Sequence, residues 1–212
     1  MNRHSLGNLQ SVHLAQVTDN VDPNGRGQIK ALLMATEMEV WASVVVPSAG
    51  KGYGFSFIPK VDEIVVLAFV TPDLPMVLGS IWSGENSMPE QADTAEDHYI
   101  VRTPAGTVME FDDGNGPQLS LTTPAGNSVT MTDSNGGEVE MKCGGETITL
   151  STAGINIDGS TLTINADAIN MNAPQITANC SMSKFSGVVQ SDTDISNSVV
   201  GASYTCGAGN IW

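Results

Sequence analysis

Histidines, cysteines and paired carboxylates are the side chains here that could do chemistry, and their spacing gives them little to work with. The three histidines, His4, His13 and His98, lie far apart, as do the three cysteines, Cys143, Cys180 and Cys206. Thiolate metal sites and redox centres start from closely spaced pairs, and the chain has no Cys-x-x-Cys. An odd, scattered set of cysteines also argues against a disulfide framework. Cys143 continues the alternation of Val139 and Met141 and reads as a small buried apolar residue. Asp112 and Asp113 could divide acid and base work between them. They open the run Asp112-Asp113-Gly114-Asn115-Gly116, however, which is a turn, so a solvated loop is expected. The Gly50–Gly54 stretch is not a phosphate cradle, because no Lys-Ser or Lys-Thr pair and no helix follow it. His98 has no Asp, Ser or Cys at a telling distance in sequence and reads as structural. No catalytic residue, metal site or cofactor is expected, and the chain does not read as an enzyme.

Charge narrows the partners. With 23 acidic and 8 basic residues the chain carries a formal charge of −15. Phosphate binding is carried by clustered Lys and Arg, so nucleic acid is excluded as a partner. Electrostatic attraction to an anionic membrane is excluded on the same ground. Trp41 and Trp82 alternate with apolar neighbours and are expected in a barrel core or rim rather than as base-stacking platforms. No stretch approaches the roughly 18 apolar residues of a membrane span. Met1–Gln16 contains no apolar run of the signal-peptide kind, so cytoplasmic synthesis is expected.

The residues that repeat say more than those that react. Five apolar pairs start seven residues apart: Ile148 and Leu150, Ile155 and Ile157, Leu162 and Ile164, Ile169 and Met171, Ile176 and Ala178. Residues two apart share one face of a strand, and the five residues between pairs are rich in Gly, Asn, Thr, Ser and Asp, which turn a chain. A coiled coil also repeats every seven, but with gaps of three and four. One short strand per repeat cannot enclose a core, because a solenoid coil needs about 20 residues or more. Several chains must wind together, and three close a prism. The shaft core is therefore assigned to Ile148, Leu150, Ile155, Ile157, Leu162, Ile164, Ile169, Met171 and Ile176.

Upstream the pattern differs. Strands are expected at Val12–Thr18, Gly27–Met34, Val40–Val46, Ile64–Phe69 and Met76–Trp82, with a hairpin connection at Asp22-Pro23-Asn24-Gly25 and a Gly-rich loop over Pro47–Gly54. Five strands without helical periodicity fit a small Greek-key barrel of the OB type. Ser83–Asp97 is polar and acidic and reads as a linker. His98–Phe111 and Gln118–Thr123 are then expected as strands, and Thr-Pro-Ala-Gly occurs twice, at 103–106 and 123–126. Val129 with Met131, and Val139 with Met141, are earlier pairs of the same kind. The fold class is all-β. Its expected domains are an OB barrel over 1–83, a linker over 84–97, and an intertwined trimeric shaft and tip over 98–212.

Both halves resemble one family. The run from Thr18 through Gly25-Arg26-Gly27-Gln28-Ile29-Lys30 is followed by Trp41-Ala42-Ser43-Val44-Val45-Val46-Pro47, by Gly52-Tyr53-Gly54 and by Ile58-Pro59-Lys60-Val61-Asp62-Glu63-Ile64. Together with Val77-Leu78-Gly79-Ser80-Ile81-Trp82, it is similar to the OB domain of contractile-tail central spikes. These are the phage baseplate assembly protein V group and the VgrG proteins of type VI secretion. Arg102-Thr103-Pro104-Ala105-Gly106 and Phe111-Asp112-Asp113 resemble the start of that family's triple-stranded β-helix, and Ser203–Trp212 resembles some spike tips.

The resemblance implies a homotrimeric needle in a tail baseplate, assembled in the bacterial cytoplasm and driven through a target envelope when a sheath contracts. It implies a hub protein at the OB end and transient contact with the envelope. Ser83–Asp97 is too short for the lysozyme domain some relatives insert there. The His-x-His iron apex of many small spikes is also missing. By analogy with relatives that dock a PAAR-repeat cone, Ala208, Gly209, Asn210, Ile211 and Trp212 are expected to form the platform for one, with a terminal plug by Trp212 as the other reading. A trimeric adhesin is the alternative function. A shaft-borne lyase or hydrolase is weak, since only Glu146, Asp158, Asp167 and Lys184 are charged between Cys143 and Gln190.

Overall fold

The computed structural model describes residues 12–201 apart from 86, 90, 91, 93–95, 115 and 199. In its first five long strands alternate residues point inward, and that period of two closes them around one core. They are β1 (Val12–Asp19), β2 (Gln28–Leu33), β3 (Glu39–Val44), then β6 (Ile64–Thr71) and β7 (Leu74–Ile81). Between β3 and β6 lies a small hairpin of β4 (Ala49–Gly50) and β5 (Tyr53–Gly54). The barrel closes in the order β1-β2-β3-β7-β6, every pairing antiparallel except β3 with β7. Renumbered one to five, that order is 1-2-3-5-4 with a return to the first strand, the topology of an OB barrel.

Inward residues of every barrel strand meet in the centre: Ala15, Val17, Ile29, Ala31, Leu33, Ala42, Val65, Leu67, Phe69 and Val77 are buried. Trp41 is half-buried on β3 and Trp82 is 65% exposed, so neither tryptophan belongs to the core. Aliphatic side chains of moderate volume fill this narrow interior instead. At one connection, Asp22 accepts backbone N–H bonds from Asn24 (2.8 Å), Arg26 (2.5 Å) and Gln28 (3.2 Å), which shapes the β1–β2 loop.

A second sheet follows, formed by β8 (His98–Arg102), β9 (Val108–Asp112), β10 (Gln118–Thr122), β11 (Ser128–Thr132), β12 (Glu138–Cys143), β13 (Glu146–Ser151) and β14 (Gly154–Asp158). Each strand pairs antiparallel with its neighbour in sequence, giving a seven-stranded meander. The expected single strand over His98–Phe111 is thus two strands, broken by Thr103-Pro104-Ala105-Gly106. The repeated phrase makes a repeated turn. In both copies the first Thr N–H donates to the carbonyl four residues on (Thr107, 2.8 Å; Asn127, 2.9 Å), and the Gly N–H donates back to that Thr (2.9 Å each). Gly106 and Gly126 sit at φ of 92° and 82°, a region that costs a residue with a Cβ, and Pro supplies the fixed φ one residue after Thr.

The chain divides into compact units between Leu162 and Thr163. In the second unit the described residues have no strand pairing and are exposed. Of the five heptad pairs, Ile148/Leu150 lie on β13 and Ile155/Ile157 on β14. Leu162, Ile164, Ile169, Met171, Ile176 and Ala178 lie on no strand, because their backbone groups find no ladder partner within their own chain. Ala208–Trp212 fall outside the described residues.

Candidate functional site

The register of the meander, more than any single residue, defines its surface. Residues directly opposite in an antiparallel ladder point to the same face. One line of partners runs Tyr99, Phe111, Leu119, Met131, Val139, Leu150, Ile155 from β8 to β14. The next runs Val101, Met109, Leu121, Val129, Met141, Ile148, Ile157. All fourteen are apolar.

The alternate residues take the other face. Between the two apolar lines runs Ile100, Glu110, Ser120, Thr130, Glu140, Thr149, Asn156, polar after its first member. An antiparallel sheet with one apolar face needs that face packed against something. Among the described residues nothing covers it: exposure runs from 38% at Ile148 to 72% at Ile155 among its exposed members, and Met109, Leu119, Val129 and Val139 are half-buried. An apolar surface of this continuity is what soluble chains hide in an interface. Cys143, next in line after Met141, is likewise exposed rather than buried, for the same reason.

The start of the sheet holds a cluster of titratable groups. His98 pairs in register with Asp112, and Glu110 is the diagonal neighbour on the same polar face. The His98 ring reaches both, with Nδ1 2.9 Å from Glu110 Oε1 and Nε2 3.4 Å from Asp112 Oδ1. Its hydrogen bond to Glu110, helped by the charges of Asp112, Glu110 and Asp97, raises the imidazole pKa above its usual value. Asp112 Oδ1 also accepts from the Gly114 N–H at 2.8 Å.

Two expectations change here. His98 does have acidic partners, 12 and 14 residues downstream, and Asp112 ends a strand instead of sitting in a solvated turn. Only the hairpin register could have revealed this, since the turn at 103–106 must be placed before His98 can be set opposite Asp112. The arrangement can hold a proton on His98 and lock the first hairpin. No group of three or more His, Cys, Asp or Glu among the described residues is placed to hold a metal ion.

Of the shaft-core residues, the register brings Ile148 opposite Ile157 and Leu150 opposite Ile155. Sequence reading extended the paired apolar pattern back to Val129, but the same pattern begins at Tyr99 and Val101. Ile100, the apolar residue between them, blurs the alternation on β8.

Residues 13–82 match the family model described as the type VI secretion system/phage-baseplate injector OB domain. Those bounds enclose all but the first residue of the closed barrel. No curated protein matches the chain.

Proposed function

We propose, from the match of residues 13–82 to the type VI secretion system/phage-baseplate injector OB domain, that this chain is the homotrimeric central spike of a contractile-tail baseplate. The observation that carries the reading is the uncovered apolar face of β8–β14. Covering a half-exposed Leu, Ile or Met gains roughly half of the about 1.5–3 kcal/mol its full burial is worth. The ten exposed residues of the two lines then supply on the order of 10 kcal/mol per chain. Association costs about 4–15 kcal/mol, so the face alone roughly breaks even.

The heptad pairs beyond it tip the balance. Leu162/Ile164, Ile169/Met171 and Ile176/Ala178 lie on no strand and have no ladder partner among the described residues of the chain, and in this reading their partners come from other copies. Three copies, each giving one strand per turn, close a triple-stranded β-helix whose interior takes these side chains. A shaft of that kind holds its backbone hydrogen bonds between chains, and removing one chain requires breaking many together.

In this reading the protein does no catalysis; sheath contraction supplies the free energy that drives it through the target envelope. A baseplate hub binds at the barrel end, and Ala208–Trp212 seat a PAAR-type tip protein. Static light scattering with SDS electrophoresis of unheated samples tests the proposal. The expected result is three times the chain mass and a band that resists SDS. Single chains at micromolar concentration would overturn it.

A further inference from the structure

Where the chain leaves the last strand of the meander, its residues spell a turn that the structure does not make. Asp158-Gly159-Ser160-Thr161 places Gly-Ser between two apolar doublets, Ile155/Ile157 and Leu162/Ile164, which is a signal for a two-residue hairpin. Such a hairpin would set Ile157 opposite Leu162 and Ile155 opposite Ile164. Across β13–β14 the same interval of four residues already sets Leu150 opposite Ile155, with Ile148 opposite Ile157. One more strand would therefore extend both apolar lines of the sheet. Instead β14 ends at Asp158, and residues 159 and 160 only bend.

The backbone and one side chain account for the difference. A two-residue hairpin turn needs positive φ at its first central residue. At the β12–β13 connection Gly144-Gly145, on the same edge of the sheet, Gly144 supplies it at 61°. Gly159 lies outside that region. Glu146, the first residue of β13, continues the register of Thr147 with Asp158 and so falls beside Gly159. Its carboxylate fills the space that a Cβ on Gly159 would take. It also accepts two hydrogen bonds from Ser160, the second central residue of the unmade turn: the N–H donates to Oε2 at 2.8 Å and the hydroxyl to Oε1 at 2.9 Å.

We propose that Glu146 is the stop of the meander. By holding Ser160 it keeps the chain from folding back along β14, and it leaves the doublets from Leu162 onward for pairing with other copies. A sheet whose apolar pattern could run on unbroken needs such a device, because a strand in the same chain is joined by a very short loop and competes with a partner that must first be met. The consequence for assembly rests on the trimer proposed above; the blocked turn does not.

The test replaces the three native cysteines by serine in the full chain and adds Asn156→Cys with Thr163→Cys, two positions the hairpin would set opposite one another. Their Cα atoms would then lie about 5.5 Å apart, within the range of about 4.4–6.8 Å that a disulfide spans. Non-reducing electrophoresis of heated samples, with peptide mapping, separates a bond within one chain from a bond between chains. Expected is no intrachain bond in this parent or in Glu146→Gln, which keeps an acceptor for the Ser160 N–H. Glu146→Ala should form it and lose the SDS-resistant band, and Glu146→Ser serves if the alanine variant fails to fold. An intrachain bond in the parent or in the glutamine variant, or none in the alanine variant, overturns the stop. Light scattering of the parent keeps the two readings apart. A trimer whose alanine variant forms no intrachain bond removes the stop and leaves the spike standing, whereas single chains in the parent remove the spike while the disulfides still decide the stop.

Discussion

Ile148 on β13 lies directly across the ladder from Ile157 on β14, and both side chains leave the sheet on its uncovered apolar face. Ile148→Asp or Ile157→Asp would place an unpaired carboxylate in the proposed shared interior, a cost of several kcal/mol if it stays charged. Light scattering should then find single chains, with the barrel still folded by circular dichroism. Thr149→Asp, on the opposite face, should leave the mass unchanged. Retention of the assembled mass by both isoleucine variants would remove this face from the interface.

His98 gives a pH signature of its own. Its pKa is raised in the folded chain by the Glu110 hydrogen bond and the nearby carboxylates. The stabilisation it contributes is therefore fully present below the unfolded value, about 6.5, and is lost as pH rises through the higher folded value. Wild type and His98→Gln should differ most in urea midpoint near pH 5.5 and converge at alkaline pH. A difference that grew with pH would contradict the geometry of the β8–β9 hairpin.

Asp22 should behave with the opposite sign. The backbone hydrogen bond from Asn24, with those from Arg26 and Gln28, lowers its pKa from 3.8. Its contribution is present above that value and disappears as acid brings the pH down through the folded pKa. Asp22→Ala should thus weaken the barrel at neutral pH while leaving its stability below about pH 2 close to that of wild type. Thermal melts across that range provide the check.

Barrel and shaft should also separate by where a cavity is made. Ile29 and Leu67 are fully buried in the barrel, so Ile29→Ala or Leu67→Ala should cost about 2–5 kcal/mol, read from the barrel's urea transition. Leu162 is exposed in the single chain. Leu162→Ala should leave that transition in place and lower only the resistance of the assembly to SDS.

The barrel was legible in the sequence because its strands are apolar-rich runs set between strong turn signals, and its five long strands fall within one or two residues of the predicted bounds. Turn chemistry carried the rest: Thr-Pro-Ala-Gly at 103–106 and 123–126 makes the same connection twice. What stayed hidden was pairing across distance. Tyr99 and Val101 look unremarkable until the register sets them against Phe111 and Met109, and His98 finds Asp112 only through the same hairpin. The later heptad pairs were visible as a pattern, but no strand partner within one chain completes them. Ladder partners are a property of the neighbours a segment has, and a single sequence states them only where a short turn forces the choice.

The meander also fixes how such a sheet could change size. Neighbouring strands are spaced about 4.8 Å apart along the hydrogen-bonding direction, and each strand with its turn occupies about ten residues. Growth is therefore quantised. Inserting one unit would reverse the direction in which everything downstream travels, whereas inserting a hairpin, two units together, would restore it and lengthen the sheet by about 10 Å. Variation in reach among chains built on this plan should accordingly come in even steps of roughly twenty residues, each carrying its own pair of apolar doublets on the same face.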